Sequence, residues 1–134
     1  MLVLIVEDDP IIGCASAAEL EDAGHEVMGP AISAAEADDI VARRRPDLAL
    51  IDINLEYAGA GVALAWRMKA MGIACIFVSG QALEARRNCE AALGMLHKPF
   101  DLSVLCKTIP IADALKNGRE PARPLPPGLE LFAA

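Results

Sequence analysis

Aromatic residues supply only 4% of this 134-residue chain, and no run of about 20 apolar residues occurs anywhere in it. The second absence makes a membrane-spanning segment unexpected. The first leaves a hydrophobic fraction of 54% to be filled by Ala, Val, Ile and Leu. That mixture suits a parallel sheet packed between helices better than a β-sandwich. No excess of basic charge exists either: 19 acidic residues against 12 basic ones give a net charge of −7, which repels a nucleic-acid backbone. The chain starts directly on an apolar run without a basic leader, so a signal peptide is not expected. Its four cysteines, Cys14, Cys75, Cys89 and Cys106, lack the paired spacing of a zinc site and read as small apolar core residues, consistent with a cytoplasmic protein.

What the chain does contain is alternation. Leu2 to Val6 is an uninterrupted apolar run that meets Glu7-Asp8-Asp9-Pro10, where Asp9 can cap a helix and Pro10 can open it. That helix aligns Ile12, Leu20 and Ala23 and stops at Gly24. Glu26 to Met28 reads as a short edge strand closed by Gly29-Pro30, and Ser33 to Glu36 as a capping box opening a second helix. Three arginines from Arg43 to Arg45 occupy its last turn, and Pro46 ends it. Leu48 to Ile51 runs straight into Asp52, a loop from Glu56 to Gly61 follows, and a third helix aligns Leu64, Met68 and Met71. Ile73 to Val78 is a buried strand ending at Ser79-Gly80, and Ala82 to Ala92 a polar helix. Gly94 to His97 is another strand, ending at Lys98-Pro99-Phe100. Asp101 can cap a fifth helix through Leu102, Leu105, Cys106 and Ile109, which Pro110 kinks or breaks. Five strands alternating with five helices require an α/β fold, a parallel sheet with right-handed crossovers and helices on both faces. Residues 1–117 form this domain, and the proline-rich stretch 118–134 reads as an extended tail outside its core. Leu129, Leu131 and Phe132 in that tail can fold back on the domain or bind a neighbour.

The polar residues that interrupt the apolar pattern fall at strand ends. Glu7 and Asp8 follow the first strand, Asp52 the third, Ser79 the fourth and Lys98 the fifth. In an open parallel sheet the carboxyl ends of the strands share one edge, where ligands bind. Three carboxylates brought together there repel one another unless cations offset them. Lys98 offers one positive charge, and a hard divalent ion, Mg²⁺ or Mn²⁺, matches the all-oxygen ligand set. Such a pocket is prepared for negative charge arriving on Asp52, with the Ser79 hydroxyl and the Lys98 ammonium free to meet phosphate oxygens. The inferred reaction is in-line phosphoryl transfer to Asp52 followed by hydrolysis. Any one of these residues alone is a cap or a turn; their conjunction at successive strand ends is what points to a site.

Taken together, Leu4-Ile-Val-Glu-Asp-Asp9, Pro46-Asp-Leu-Ala-Leu-Ile-Asp52, Phe77-Val-Ser-Gly80 and Lys98-Pro-Phe100 resemble the landmarks of the response-regulator receiver family, in order, over about residues 1 to 116. The resemblance implies a flavodoxin-like, doubly wound sheet of order 2-1-3-4-5. It implies Asp52 as phosphoacceptor, Asp8 as a direct metal ligand, Glu7 acting mainly through metal-bound water, and Asn54 lending its backbone carbonyl to the metal. Ser79 becomes the switch hydroxyl and Lys98 the phosphate-pairing base. The donor it implies is the phosphohistidine of a sensor histidine kinase or a phosphotransfer protein. The chain departs from the family pattern at Met95, three residues before Lys98, where members often carry Tyr or Phe. Phe77-Val-Ser-Gly80 is similar to the Phe-Ala-Thr-Gly pattern of single-domain regulators from alphaproteobacteria, which also lack that aromatic.

Since the short stretch after the fifth helix is too small for a winged helix, output through protein–protein contact is expected, without an enzymatic activity beyond self-catalysed phosphorylation and dephosphorylation. Three rival readings have weaker support. A small metal-dependent phosphatase would use Asp52 as nucleophile, but Asp52-Ile-Asn54 lacks the second Asp of an Asp-x-Asp loop. A phosphorylation-independent interaction module would not need the full Asp, Ser and Lys set. A flavodoxin would find its phosphate repelled by Glu7-Asp8-Asp9. His97 should face away from Lys98 along its strand, and Arg86 and Arg87 read as a solvated helix face. His25 and Trp66 read as surface or packing residues.

Overall fold

A computed structural model of the chain describes residues 1–132. Six strands and five helices follow one another as β1 (Leu2–Val6), α1 (Pro10–Asp22), β2 (Glu26–Ala31), α2 (Ala34–Arg43), β3 (Leu48–Asp52), α3 (Ala60–Ala70), β4 (Ala74–Ser79), α4 (Ala82–Arg87), β5 (Gly94–His97), α5 (Leu102–Lys116) and β6 (Leu129–Leu131). They form one sheet of order β2-β1-β3-β4-β5-β6. The first five strands are parallel, in the expected 2-1-3-4-5 order. Strand-side alternation explains why β1, β3 and β4 are apolar almost throughout: each must fill two cores. Leu4, Val6, Ala49, Ile51, Cys75 and Phe77 face α2, α3 and α4, packing with Ala37, Val41, Leu64 and Met68. Val3, Ile5, Leu48, Leu50, Ile76 and Val78 face α1 and α5, packing with Leu20, Val104, Leu105 and Ile109.

The sheet has six strands where five were expected. Leu129–Leu131, in the stretch read as a tail outside the core, pairs antiparallel with β5. Leu129 is buried in one core and Phe132 packs against the other, so the apolar residues at the end of the tail find cover at the sheet edge. β2 also runs further than its apolar residues suggest, because a register shift opposite Leu4–Val6 absorbs Gly29-Pro30. Pro110 does not break α5, which continues to Lys116. The fourth helix is short, with a single 3₁₀ turn at Cys89–Ala91 replacing its second half. On α1 the buried face is Gly13, Ser16, Ala17 and Leu20, while Ala23 is exposed. Of the cysteines only Cys75 is buried; Cys106 is half-buried, and Cys14 and Cys89 are exposed. No helix among the described residues is long and apolar enough to cross a membrane.

Candidate functional site

Local chemistry brings each polar residue to the carboxyl edge of the sheet. After β1 the chain turns into α1, whose first turn is capped by Asp9: its Oδ1 accepts from the N–H groups of Ile11 (2.9 Å) and Ile12 (3.4 Å). This turn leaves Glu7 buried and Asp8 exposed beside it. Asp52 is the last residue of β3 and is only 6% exposed. Its Oδ1 accepts from the Asn54 backbone N–H at 3.0 Å, an Asx-type turn that carries the chain out of the sheet. Ser79 ends β4, is fully buried, and its Oγ accepts from the Gln81 N–H at 2.7 Å. Lys98 follows β5, and its N–H donates to the Ser79 carbonyl at 2.8 Å, tying the ends of β4 and β5 together.

The charged groups converge. Carboxylate oxygens of Glu7, Asp8 and Asp52 lie within 4.8 Å of one another, and this is the group with metal-holding potential found among the described residues. Lys98 Nζ sits 2.6 Å from Glu7 Oε1 and 3.4 Å from Asp52 Oδ2. Burial pushes the Glu7 carboxyl up to about 7, and its hydrogen bond with Asp52 adds to the rise, while Lys98 draws it the other way. Burial also works against the Lys98 ammonium, but Glu7 and Asp52 outweigh it and the net shift is upward. The pocket therefore holds more carboxylate than its single lysine balances.

Five residues picked from sequence, Glu7, Asp8, Asp52, Ser79 and Lys98, lie at this edge, as does Asn54, which contacts Asp52 through its backbone N–H. His97 faces away, 3.5 Å from Glu130 Oε1. Arg86, read as a solvated face, instead binds Glu130, and Trp66 lies exposed on α3 with Lys69 Nζ 5.3 Å from its ring centroid. Two contributors escaped the sequence reading. Glu56, at φ 56°, donates its backbone N–H to Asp8 Oδ2 at 3.3 Å, and its side chain accepts from the Ala34 N–H. Gly61, taken for the end of a loop, lies in the first turn of α3, where a Cβ would stand 2.3 Å from the Asp52 carbonyl oxygen. The glycine lets α3 approach the backbone of Asp52 and Ile53.

The family model described as the response regulator receiver domain matches residues 3–110. The chain belongs to that family. The receiver domain of NtrX from Brucella abortus superposes with a TM-score of 0.76 at 28% identity, covering 82% of this chain and 96% of that one. The signal receiver domain of a modulated diguanylate cyclase from Desulfovibrio desulfuricans G20 gives 0.77 at 33% identity, covering 87% and 95%. Among curated proteins, the transcriptional regulatory protein PdtaR of Mycobacterium tuberculosis is 32% identical over 114 residues, which is 82% of this chain and 55% of that protein. The chain spans about half the length of the curated relatives it matches. As a receiver it is notable for Met95, which is completely buried opposite Phe77 of β4 and Glu130 of β6.

Proposed function

We propose that this receiver accepts a phosphoryl group on Asp52 from the phosphohistidine of a sensor kinase or phosphotransfer protein, and signals through protein contact. The observation that carries the reading is the position of Asp52: buried at a strand end, 3.4 Å from Lys98 Nζ and within 4.8 Å of two further carboxylates. Asp52 oxygen attacks phosphorus as the bond from phosphorus to the donor's imidazole nitrogen breaks, and the electron pair of that bond returns to the imidazole. Lys98 offsets charge on one phosphoryl oxygen and the Ser79 hydroxyl donates to another. Water then attacks the acyl phosphate, releasing inorganic phosphate and restoring the carboxylate.

The donor set fits a hard divalent cation, since three carboxylates supply oxygen only and exceed the charge of Lys98. Asp8, Asp52 and the Asn54 backbone carbonyl would hold Mg²⁺ or Mn²⁺, with Glu7 acting through its water. When bound, the ion supplies positive charge to the oxygens of the transferring phosphoryl group. Beside Lys98, Ile11, Phe100 and Leu102 line an apolar groove, and Ile11 is 80% exposed on the first turn of α1. This rim offers a donor protein an apolar footing next to the acceptor.

Borohydride reduction after treatment with acetyl phosphate and Mg²⁺ converts an aspartyl phosphate to homoserine. Peptide mapping should find homoserine at position 52 alone. Conversion at Glu7 or Asp8 instead, or at no carboxylate, would contradict the assignment.

A further inference from the structure

The last strand is fastened unlike the others. β6 is three residues long, antiparallel, and lies on the outer edge of β5. At its centre, the Glu130 carboxylate accepts from Arg86 Nε at 2.7 Å and Nη2 at 2.6 Å, and lies 3.5 Å from His97 Nε2. On either side the Phe132 N–H donates to the Leu93 carbonyl (2.9 Å) and the His97 N–H to the Gly128 carbonyl (2.8 Å). Gly94 permits the approach, since a Cβ there would stand 2.4 Å from the Glu130 carbonyl oxygen.

Both elements that hold Glu130 begin or end at the acidic pocket. Arg86 is on α4, a helix of six residues whose N-cap, Gln81, donates its N–H to Ser79 Oγ. His97 directly precedes Lys98, whose ammonium contacts Glu7 and Asp52. A phosphoryl group on Asp52 offers new acceptor oxygens to the Lys98 ammonium, which now contacts Glu7 and Asp52, and to the Ser79 hydroxyl, which now accepts from Gln81. The two anchors of Glu130 sit on separate elements, one on α4 and the other at the end of β5, so a change at the pocket reaches them by different routes. Bidentate pairing of the kind Arg86 makes tolerates little misalignment.

We propose that Leu129–Phe132 is a latch strand, closed over the β5 edge by Glu130 and released when Asp52 is phosphorylated. The coupling rests on the acceptor reading above. Release leaves the outward N–H and C=O groups of β5 unpaired, which is the chemistry through which sheet edges take up an extended segment of another chain.

Amide exchange of the full chain, followed at His97 and Phe132, tests the latch with beryllofluoride and Mg²⁺ as the phosphoryl mimic. Fluorine NMR of the same sample reports whether the adduct on Asp52 has formed. With the adduct present, both amides should exchange at least about tenfold faster while those of β1 and β3 do not, a selectivity expected of local opening. An adduct with unchanged or slower exchange at these amides would overturn the latch and leave the acceptor reading standing. Failure to form an adduct would count against the acceptor reading and remove the release that depends on it. Without beryllofluoride, Glu130→Gln should already exchange fast at both amides, and the swap Arg86→Glu with Glu130→Arg should restore protection. Full protection in Glu130→Gln would show that Glu130 does not hold the strand.

Discussion

Glu7 is a buried carboxyl at the edge of the pocket, and it makes a prediction in the absence of any metal. Its carboxyl is raised to about 7, first by burial, so between about pH 4.5 and pH 7 the folded chain keeps a proton that the unfolded chain has lost. Native stability from this group is therefore lost as pH rises through that window, at up to about 1.4 kcal/mol per pH unit. In chelator, urea unfolding of wild type and Glu7→Gln should diverge, wild type losing stability relative to the variant from pH 5 to pH 8. Parallel pH profiles would show that Glu7 titrates normally. At this scale the sequence is most informative about side chains that interrupt an apolar run, which is why Asp52, Ser79 and Lys98 could be read directly. Glu56 could not, because it contributes a backbone N–H at a left-handed φ, and residue type carries little trace of that.

At the scale of elements, helices and parallel strands were legible wherever apolar spacing had a period, and boundaries failed where a tertiary contact outweighed local preference. Pro110 is the plainest example. It removes one N–H from α5, yet Ile109, Ile111 and Ala112 around it are buried against the sheet, and this packing carries the helix through. Pro110 itself is exposed, so Pro110→Ala should restore a helical hydrogen bond without opening a cavity and stabilise the chain by about 1–3 kcal/mol in denaturant unfolding. A loss of stability would mean that the proline ring has a packing role. Gly61→Ala should act in the opposite direction. Its methyl group meets backbone rather than a flexible side chain, so α3 must move away from β3, at a cost of about 1–3 kcal/mol. Phosphorylation by acetyl phosphate should slow in the same variant, because the Asp52 backbone shifts with it; an unchanged rate and stability would show that α3 yields freely. β6 was harder to see in the sequence because three residues are too few for a period, and the prolines before it read as part of an extended tail.

Across the whole molecule, the two-sided apolar strands dictate a sheet covered on both faces, and that architecture collects the polar strand ends on one edge. The family landmarks supplied the strand order that hydrophobic pattern alone leaves open. What neither supplied is the pairing of the C-terminal segment with β5, which is accompanied by contacts of Arg86 and His97 with a residue 44 and 33 positions away. On the proposed function this assembly is a metal-dependent acceptor built around one carboxylate. Intact-mass spectrometry after incubation with acetyl phosphate tests it most directly, run with Mg²⁺, with chelator, and with Asp52→Asn. One added phosphoryl mass that appears only with Mg²⁺ and is absent from Asp52→Asn is the predicted result. An adduct of equal yield in Asp52→Asn, or no adduct in wild type together with no beryllofluoride complex, would contradict it.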